Sequence, residues 1–317
     1  MKKMLGVIIN TKAGKRSYLR QRYYLFDLLK SQQMAYTYHI TRYAGHASEL
    51  SRMLVEQGYD RLLVLGGDGT LSEVINGVMH ASLSDKSHIS VGLMPRGTGN
   101  DWGRYWGLDK DYKKSLARFF SGTPHPIDVG CLTLRRAGVE EKHYFVNSVG
   151  FGIDARTCER AQVLKYYVGS HGLNYFFGLL SAVFTHRSIP VLMQVEHDVT
   201  ESGECSRQEW QQPLFTMNIG NGPFSGGGIR QNPDADPTDG LFHAMFVTTP
   251  SFKDIMRALP KLFNGRLPEV EFIRNFTAQR VLIQTDEHIV IEKDGILVDA
   301  CGPYEVSLIP HALNFIA

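Results

Sequence analysis

Four apolar residues in a row, Leu62-Leu63-Val64-Leu65, run into Gly66-Gly67-Asp68-Gly69-Thr70, and no other stretch of the 317-residue chain restricts its fold as much. An unbroken apolar tetrad reads as a strand buried on both faces, the habit of a parallel sheet. From Leu71 the spacing changes. Leu71, Val74, Ile75, Val78 and Met79 fall on one face of a helix. Thr70 and Glu73 have the T-x-x-E spacing of a capping box, so the helix is expected to start there. Strand, glycine turn and helix N-terminus together aim backbone N–H groups at one spot where an anion fits. Glycines let the backbone approach phosphate with no side chain in the way. A carboxylate inside the turn would repel phosphate unless a cation such as Mg²⁺ stood between them, so Asp68 points to a metal-assisted phosphate site.

The same pattern recurs. Met4 to Ile9 is a strand candidate followed by the polar loop Asn10-Thr11-Lys12-Ala13-Gly14-Lys15. Ile89 to Met94 is another, followed by Pro95-Arg96-Gly97-Thr98-Gly99-Asn100-Asp101. In open α/β sheets ligands bind beyond the carboxyl ends of strands, so these loops and the Gly66–Thr70 turn can meet. Two glycine turns with one aspartate each suggest a nucleotide-phosphate site whose metal-binding acids are Asp68 and Asp101. Helices over Tyr18–Gln32 and Ala47–Gln57, with a strand over Ala35–Thr41, complete an alternating β-α order and predict a parallel sheet.

At Ser121–Asp128 a glycine and two prolines cluster, and the texture changes. Short β-like runs follow: Val129–Leu134, His143–Val149, Pro190–Glu196, Leu214–Ile219, Leu241–Val247, Val281–Thr285, Ile289–Glu292 and Ile296–Val298. They predict an antiparallel, sandwich-like second domain. Two helices interrupt it, a mixed polar one over Asp154–Lys165 and one apolar nearly all round over Gly172–His186. The apolar one fits a buried helix, a greasy pocket wall or a membrane contact. Asp234, Asp236 and Asp239 crowd a proline-rich loop that can wrap a hard cation without EF-hand spacing. Asp294-Gly295 is a tight-hairpin signature.

Length favours two domains over one core. The formal charge of +2 asks for no strongly charged partner, and no nucleic acid is expected. The four cysteines are scattered without a C-x-x-C pair, as reduced thiols of a cytoplasmic protein would be. Met1 to Leu5 is too short a basic-then-apolar stretch for a signal peptide, and no run is long enough to span a bilayer.

Gly66-Gly67-Asp68-Gly69-Thr70 followed by Pro95-Arg96-Gly97-Thr98-Gly99-Asn100-Asp101 resembles the diacylglycerol kinase catalytic-domain family, which includes soluble bacterial lipid kinases and the sphingosine and ceramide kinases. Asn147 to Ala155, Asn218 to Asn221, Pro233 to Ala235, Asp239-Gly240 and Asp294-Gly295 extend the resemblance over almost the whole chain. The resemblance implies an N-terminal three-layer parallel α/β nucleotide-binding domain, a C-terminal mainly antiparallel β-sandwich domain and an ATP cleft between them. The last strands return to the first domain, which sets the domains at 1–127 plus 303–317 and 128–302. It further implies ATP and Mg²⁺ as cofactors and a lipid alcohol, met at the membrane surface, as acceptor. It allows a homodimer.

By resemblance, Asn10, Thr11, Lys12, Ala13, Gly14, Thr41, Gly66, Gly67, Asp68, Gly69, Thr70, Leu71, Ser72, Glu73, Gly97, Thr98 and Asn100 hold the nucleotide. Asp68, Asp101 and Asp128 form the Mg²⁺ network, and Asp236, Asp239 and Leu241 hold a second, structural Mg²⁺. Two departures stand out: Thr11 occupies a position where the family often has proline, and Ile296 occupies that of the glutamate in its D-G-E motif, the assigned general base. Asp294 is then the better candidate for taking the hydroxyl proton, with Asp68 beside it as a catalytic residue. Alternative acceptors are a sphingoid base or ceramide. A NAD kinase-like enzyme is supported by Gly66–Thr70 alone, and a non-catalytic lipid- or nucleotide-binding pseudokinase by Ile296 alone.

Overall fold

The protein is seen in a computed structural model that describes residues 4–14, 18–31, 35–97, 99–108, 111–136, 138–168, 174–183, 186–197 and 206–317. The backbone divides into two units, Met1–Ile127 with His311–Ala317, and Asp128–Pro310.

The elements of the first unit are β1 (Leu5–Ile9), α1 (Tyr18–Ser31), β2 (Tyr36–Ile40), α2 (His46–Glu56), β3 (Arg61–Gly66), α3 (Asp68–His80), β4 (Ser90–Pro95), α4 (Asp101–Tyr105) and α5 (Tyr112–Ser121). The strands lie in the order β2-β1-β3-β4, all parallel. The chain's last residues, Asn314–Ile316, extend the sheet in parallel beside Ser90–Gly92. Leu5, Val7, Ile9, Leu63 and Leu65 pack against Leu25 and Leu29 of α1 and Leu116 and Phe119 of α5. Alternate strand residues face the other way. There a side chain on Gly6 would strike Leu54 of α2. A Cβ on Gly77 would lie 2.0 Å from the Ser48 carbonyl oxygen, so α3 and α2 touch backbone to backbone at that point. Helices therefore cover both faces, and the unit is a three-layer parallel α/β structure.

The capping box does not form. α3 begins at Asp68 with Gly67 as its N-cap and no side chain capping it. Thr70 Oγ1 instead accepts from Asn10 Nδ2 at 2.9 Å. The Glu73 carboxylate accepts from the N–H groups of Gly45 and Ala47 at 2.8 and 3.1 Å and secures the start of α2. Donors 60 and 28 residues away outcompete the local ones.

The elements from Pro124 onward are β5 (Pro124–Arg136), β6 (Val139–Phe145), β7 (Ser148–Gly152), α6 (Ile153–Val168), α7 (Asn174–Val183), β8 (Ile189–His197), β9 (Ser206–Leu214), β10 (Thr216–Gly220), β11 (Phe242–Val247), α8 (Phe252–Asn264), a 3-10 turn at Leu267–Glu269, β12 (Ile273–Ala278), β13 (Arg280–Gln284), β14 (Ile289–Lys293), β15 (Ile296–Ala300) and β16 (Tyr304–Ile316). One antiparallel sheet of the second unit runs β12-β11-β10-β7-β14-β15. The other joins β9, β8, β13 and the first half of β16, with a β5–β6 hairpin. Phe151, Met217, Phe246 and Ile291 from the first meet Met193, Val281 and Tyr304 from the second in one core. That is a β-sandwich.

The strand expected over His143–Val149 is two strands. The chain leaves β6 at Phe145 and enters the other sheet at Ser148, turning at Val146-Asn147. The Gly/Pro cluster at Ser121–Asp128 is in part the start of β5. Strands β9 and β12 and helix α8 had no expectation. β9 is exposed and polar, so it lacks an apolar run to announce it. Of the helix expected over Gly172–His186, α7 covers Asn174–Val183, and residues 172–173 and 184–185 lie outside the described ones.

Candidate active site

The first unit brings three loops to one corner beyond the carboxyl ends of β1, β3 and β4. A Cβ built on Gly67 would lie 2.8 Å from the Gly97 Cα, and one built on Gly97 would lie 2.8 Å from the Gly67 Cα. The two glycine turns thus touch where no side chain has room. Arg96 N–H donates to the Gly66 carbonyl at 2.7 Å and ties them together. Gly14, at φ 75°, presses against the Arg96 carbonyl; a Cβ there would come within 2.4 Å of its oxygen. Asn10 reaches Thr70 as described, and its Oδ1 accepts from Lys12 N–H at 3.0 Å. Helix α3 starts at this corner, and a helix N-terminus is a place where an anion can be held.

Asp68 opens α3, and its Oδ1 accepts from Trp102 N–H at 3.2 Å. Asp101 opens α4 and is buried. Asn100 stands at φ 50°, and its side chain exchanges two 2.7 Å hydrogen bonds with the Gly97 N–H and carbonyl, which sets the second turn's shape. Thr41 N–H donates to the Ile9 carbonyl at 2.9 Å, at the end of β2. Thr98 lies outside the described residues.

In the second unit, Asp128 is fully buried. Its Oδ2 accepts from Gly240 N–H at 2.8 Å and its own N–H donates to the Pro237 carbonyl at 2.8 Å, so it anchors the acidic loop. Within that loop Asp236 Oδ1 accepts from the N–H and hydroxyl of Thr238 at 3.0 and 2.7 Å. Asp239 accepts from Leu241 N–H at 2.9 Å and faces His243 Nε2 at 3.2 Å. Among the described residues no group of three or more His, Cys, Asp or Glu side chains is placed to hold a metal ion.

Asp294 sits in the β14–β15 turn at φ 46° and is 7% exposed. Its carboxylate accepts from the N–H groups of Val146, Asn147 and Ser148 at 3.0, 2.9 and 3.1 Å. The side chain thus holds the turn between β6 and β7, where the chain changes sheets. Asn221 closes the same place, donating to the carbonyls of Val146 and Asp128 at 2.8 and 3.0 Å.

Sequence reasoning missed the polar cluster around Gly150, on the face of the six-stranded sheet that α6 covers. Asp154 accepts from Asn218 Nδ2 at 3.0 Å and from Gln231 Nε2 at 2.9 Å. A Cβ on Gly150 would meet Asp154 Oδ2 at 3.0 Å and Glu292 Oε2 at 3.2 Å, so the two carboxyls flank it. Removal from water pushes the Glu292 carboxyl up to about 8, with Asp154 and Asp294 adding to the push and Gly295 N–H opposing it. Its signals were the Asn147–Ala155 and Asn218–Asn221 motifs, to which no role was given, and a charged residue at the end of the apolar run Ile289–Ile291. Beside the cluster lies a small cavity, partly open to solvent. Its walls are apolar residues of α7, α8, β10, β11 and β12 with their flanking loops, and Asp154 and Gln231 give it one polar end.

The chain thus has a parallel α/β unit with glycine turns beyond its strands and a β-sandwich unit. Residues 4–132 match the diacylglycerol kinase catalytic domain, and residues 147–317 match the YegS C-terminal NAD kinase beta sandwich-like domain. The chain belongs to the diacylglycerol kinase catalytic-domain family and is an enzyme of the lipid-kinase class. It is 26% identical to the diacylglycerol kinase of Bacillus subtilis over 92% of this chain and 89% of that one. It is 27% identical to the diacylglycerol kinase of Mycobacterium tuberculosis over 86% of this chain and 81% of that one. A diacylglycerol kinase structure from Bacillus anthracis matches with a TM-score of 0.70 at 19% identity, over 99% of this chain and 96% of that one, which shows a shared fold.

Proposed function

We propose that this enzyme transfers the γ-phosphoryl group of ATP to a hydroxyl of diacylglycerol or a related lipid alcohol. The observation that carries the reading is the contact of the two glycine turns at the N-terminus of α3. Phosphoryl transfer is mostly positioning and charge neutralisation, and a corner of backbone N–H groups supplies both. Asn10–Gly14, Thr41, the Gly66–Glu73 turn, Gly97, Thr98 and Asn100 are the proposed nucleotide ligands. Asp68 and Asp101 open α3 and α4 of the first unit and carry the carboxylate oxygens that a hard cation takes, which supports them as the proposed Mg²⁺ ligands. Mg²⁺ would neutralise charge on the phosphates. Asp128 is the third proposed Mg²⁺ ligand. A second cation at Asp236, Asp239 and Leu241 would compete with His243 for Asp239.

The acceptor hydroxyl loses its proton as its oxygen bonds to phosphorus, and ADP leaves. Asp294 is the proposed proton acceptor. Three of its roughly four lone-pair sites already take backbone N–H groups, which leaves one for the hydroxyl. The apolar cavity with its polar end suits an amphiphilic acceptor, met in peripheral contact with a membrane from the cytoplasmic side. No helix among the described residues is long and apolar enough to cross one. A sphingoid base is the second reading, favoured by the Asp154 carboxylate at that polar end, which suits an ammonium group.

The test is transfer of labelled γ-phosphate in mixed micelles of diacylglycerol, monoacylglycerol, sphingosine, dihydrosphingosine or ceramide, with and without Mg²⁺. The expected result is one Mg²⁺-dependent lipid product, lost in Asp68→Asn. No product from any of these lipids, or full turnover by Asp68→Asn, defeats the reading.

A further inference from the structure

Helix α8 has no role in the phosphate corner or the carboxyl cluster, and its composition is unusual. None of its described residues is fully buried. Ile255, Ala258, Leu259 and Leu262 face the apolar cavity, which is why they are only partly covered. The apolar surface does not stop at the cavity wall. Phe252 and Met256, one turn apart, continue it outward and are 54% and 45% exposed. Directly beside them runs a second stripe, Lys253, Arg257 and Lys261, again at helical spacing. Its only acid is Asp254, whose carboxylate is taken up by the Ser251 N–H and hydroxyl in the capping box.

Around the C-cap, Gly265, further cations gather. Arg230 packs against Gly265, and Arg266 follows it. Glu269 takes Arg266 at 2.7 Å and Lys261 at 3.7 Å. Among the described residues no carboxylate lies within ion-pair distance of Lys253 or Arg257. A wide apolar arc edged by a basic stripe is what a helix lying in a membrane interface presents. A protein partner of ordinary polarity would need acids to meet that stripe and a socket for two protruding side chains; an anionic bilayer supplies both without shape.

We infer that α8 docks this enzyme on an anionic lipid surface, with Phe252 and Met256 entering the headgroup boundary and Lys253 and Arg257 meeting lipid phosphates. The same helix walls the cavity on its inner side. Docking therefore sets the cavity against the bilayer, and a lipid chain can pass from one apolar phase to the other without crossing water. The inference extends the lipid-kinase reading, yet its test is separate from that of the reaction.

The experiment is co-sedimentation of the full-length protein with vesicles of phosphatidylcholine, alone or with about a third phosphatidylglycerol. Wild-type protein is expected to bind the anionic vesicles and to be released as salt rises. Lys253→Glu with Arg257→Glu should weaken binding at least 25-fold, about fivefold for each cation lost. Phe252→Ser with Met256→Ser should weaken it at least tenfold even at low salt. All four positions are exposed, so melting temperature and turnover in detergent micelles should stay as in wild type. Wild-type protein that ignores anionic vesicles, or variants that bind as well as wild type, overturns the inference. So does a shift from dimer to monomer on gel filtration with vesicle binding unchanged, since α8 would then face a second copy. Vesicle binding without any lipid product in micelles keeps the docking surface and defeats the proposed reaction instead.

Discussion

The Gly67–Asp68 turn and the Asp294–Gly295 turn use the same two residue types and put them to opposite uses. At the first, aspartate opens a helix, and the backbone N–H groups around it point outward to a place where phosphate fits. At the second, aspartate is buried, and its carboxylate gathers three backbone N–H groups inward. In one turn the carboxylate takes a single backbone N–H, from Trp102. The other spends most of its side chain on the backbone. The lesson is that an Asp-Gly pair is defined by where its N–H donors come from. For Asp68 the donor lies 34 residues downstream, and for Asp294 the donors lie nearly 150 residues upstream.

The contrast breaks most readily at Asp294. Asp294→Ala leaves three buried N–H groups without acceptors and should cost about 3–5 kcal/mol. In a thermal melt that is a fall of roughly 10 °C; a fall of one or two degrees would deny the anchoring role. Asp68→Asn is the counterpart. Asn can still accept from Trp102 N–H, so the melt should barely move, while turnover should drop about 10²–10³-fold. A variant equally impaired in both would erase the distinction between the turns.

Gly97→Ala sharpens the first half of the comparison. Its methyl would meet the Gly67 Cα at 2.8 Å and the Asn100 Oδ1 at 3.0 Å, and the Asn100 side chain is itself held by two hydrogen bonds to Gly97. The expectation is roughly 1–3 kcal/mol of lost stability, with nucleotide affinity lost beyond that, read by ATP titration.

The fourth prediction concerns Glu292, two residues before Asp294. Its carboxyl, ordinarily at 4.5, is raised to about 8 by burial. Between those values the folded protein holds a proton that the unfolded chain has released, so this group lowers stability as pH rises through the window. The slope is at most about 1.4 kcal/mol per pH unit. Glu292→Gln should flatten the melting-temperature profile from pH 5 to 8 and raise its alkaline end; an unchanged profile would show the carboxyl to be ionised throughout.

Much of the first unit was legible because its signals are local. Leu62–Leu65, the glycines and the helical spacing from Leu71 lie within one strand–turn–helix, and the element order β-α-β announced the parallel sheet. The reading failed where a side chain had a distant choice, as Thr70 and Glu73 did. In the second unit the expected strand at His143–Val149 was broken by a carboxylate from Asp294, which no window around residue 146 contains. Helix α8 was overlooked because its apolar arc is interleaved with lysine and arginine, and β9 because an exposed edge strand needs no apolar run.

By itself the sequence determined that this chain carries two glycine turns with an aspartate in each, a parallel α/β half and a β-rich half, since backbone freedom and hydrophobic period are properties of neighbouring residues. The tertiary structure decided which aspartate holds the backbone, what Glu73 caps, and why the Glu292 carboxyl is raised. Those depend on donors, charges and burial brought together across long loops, and a hydrogen bond is made with whatever the fold places within about 3 Å, however far away it lies in the chain.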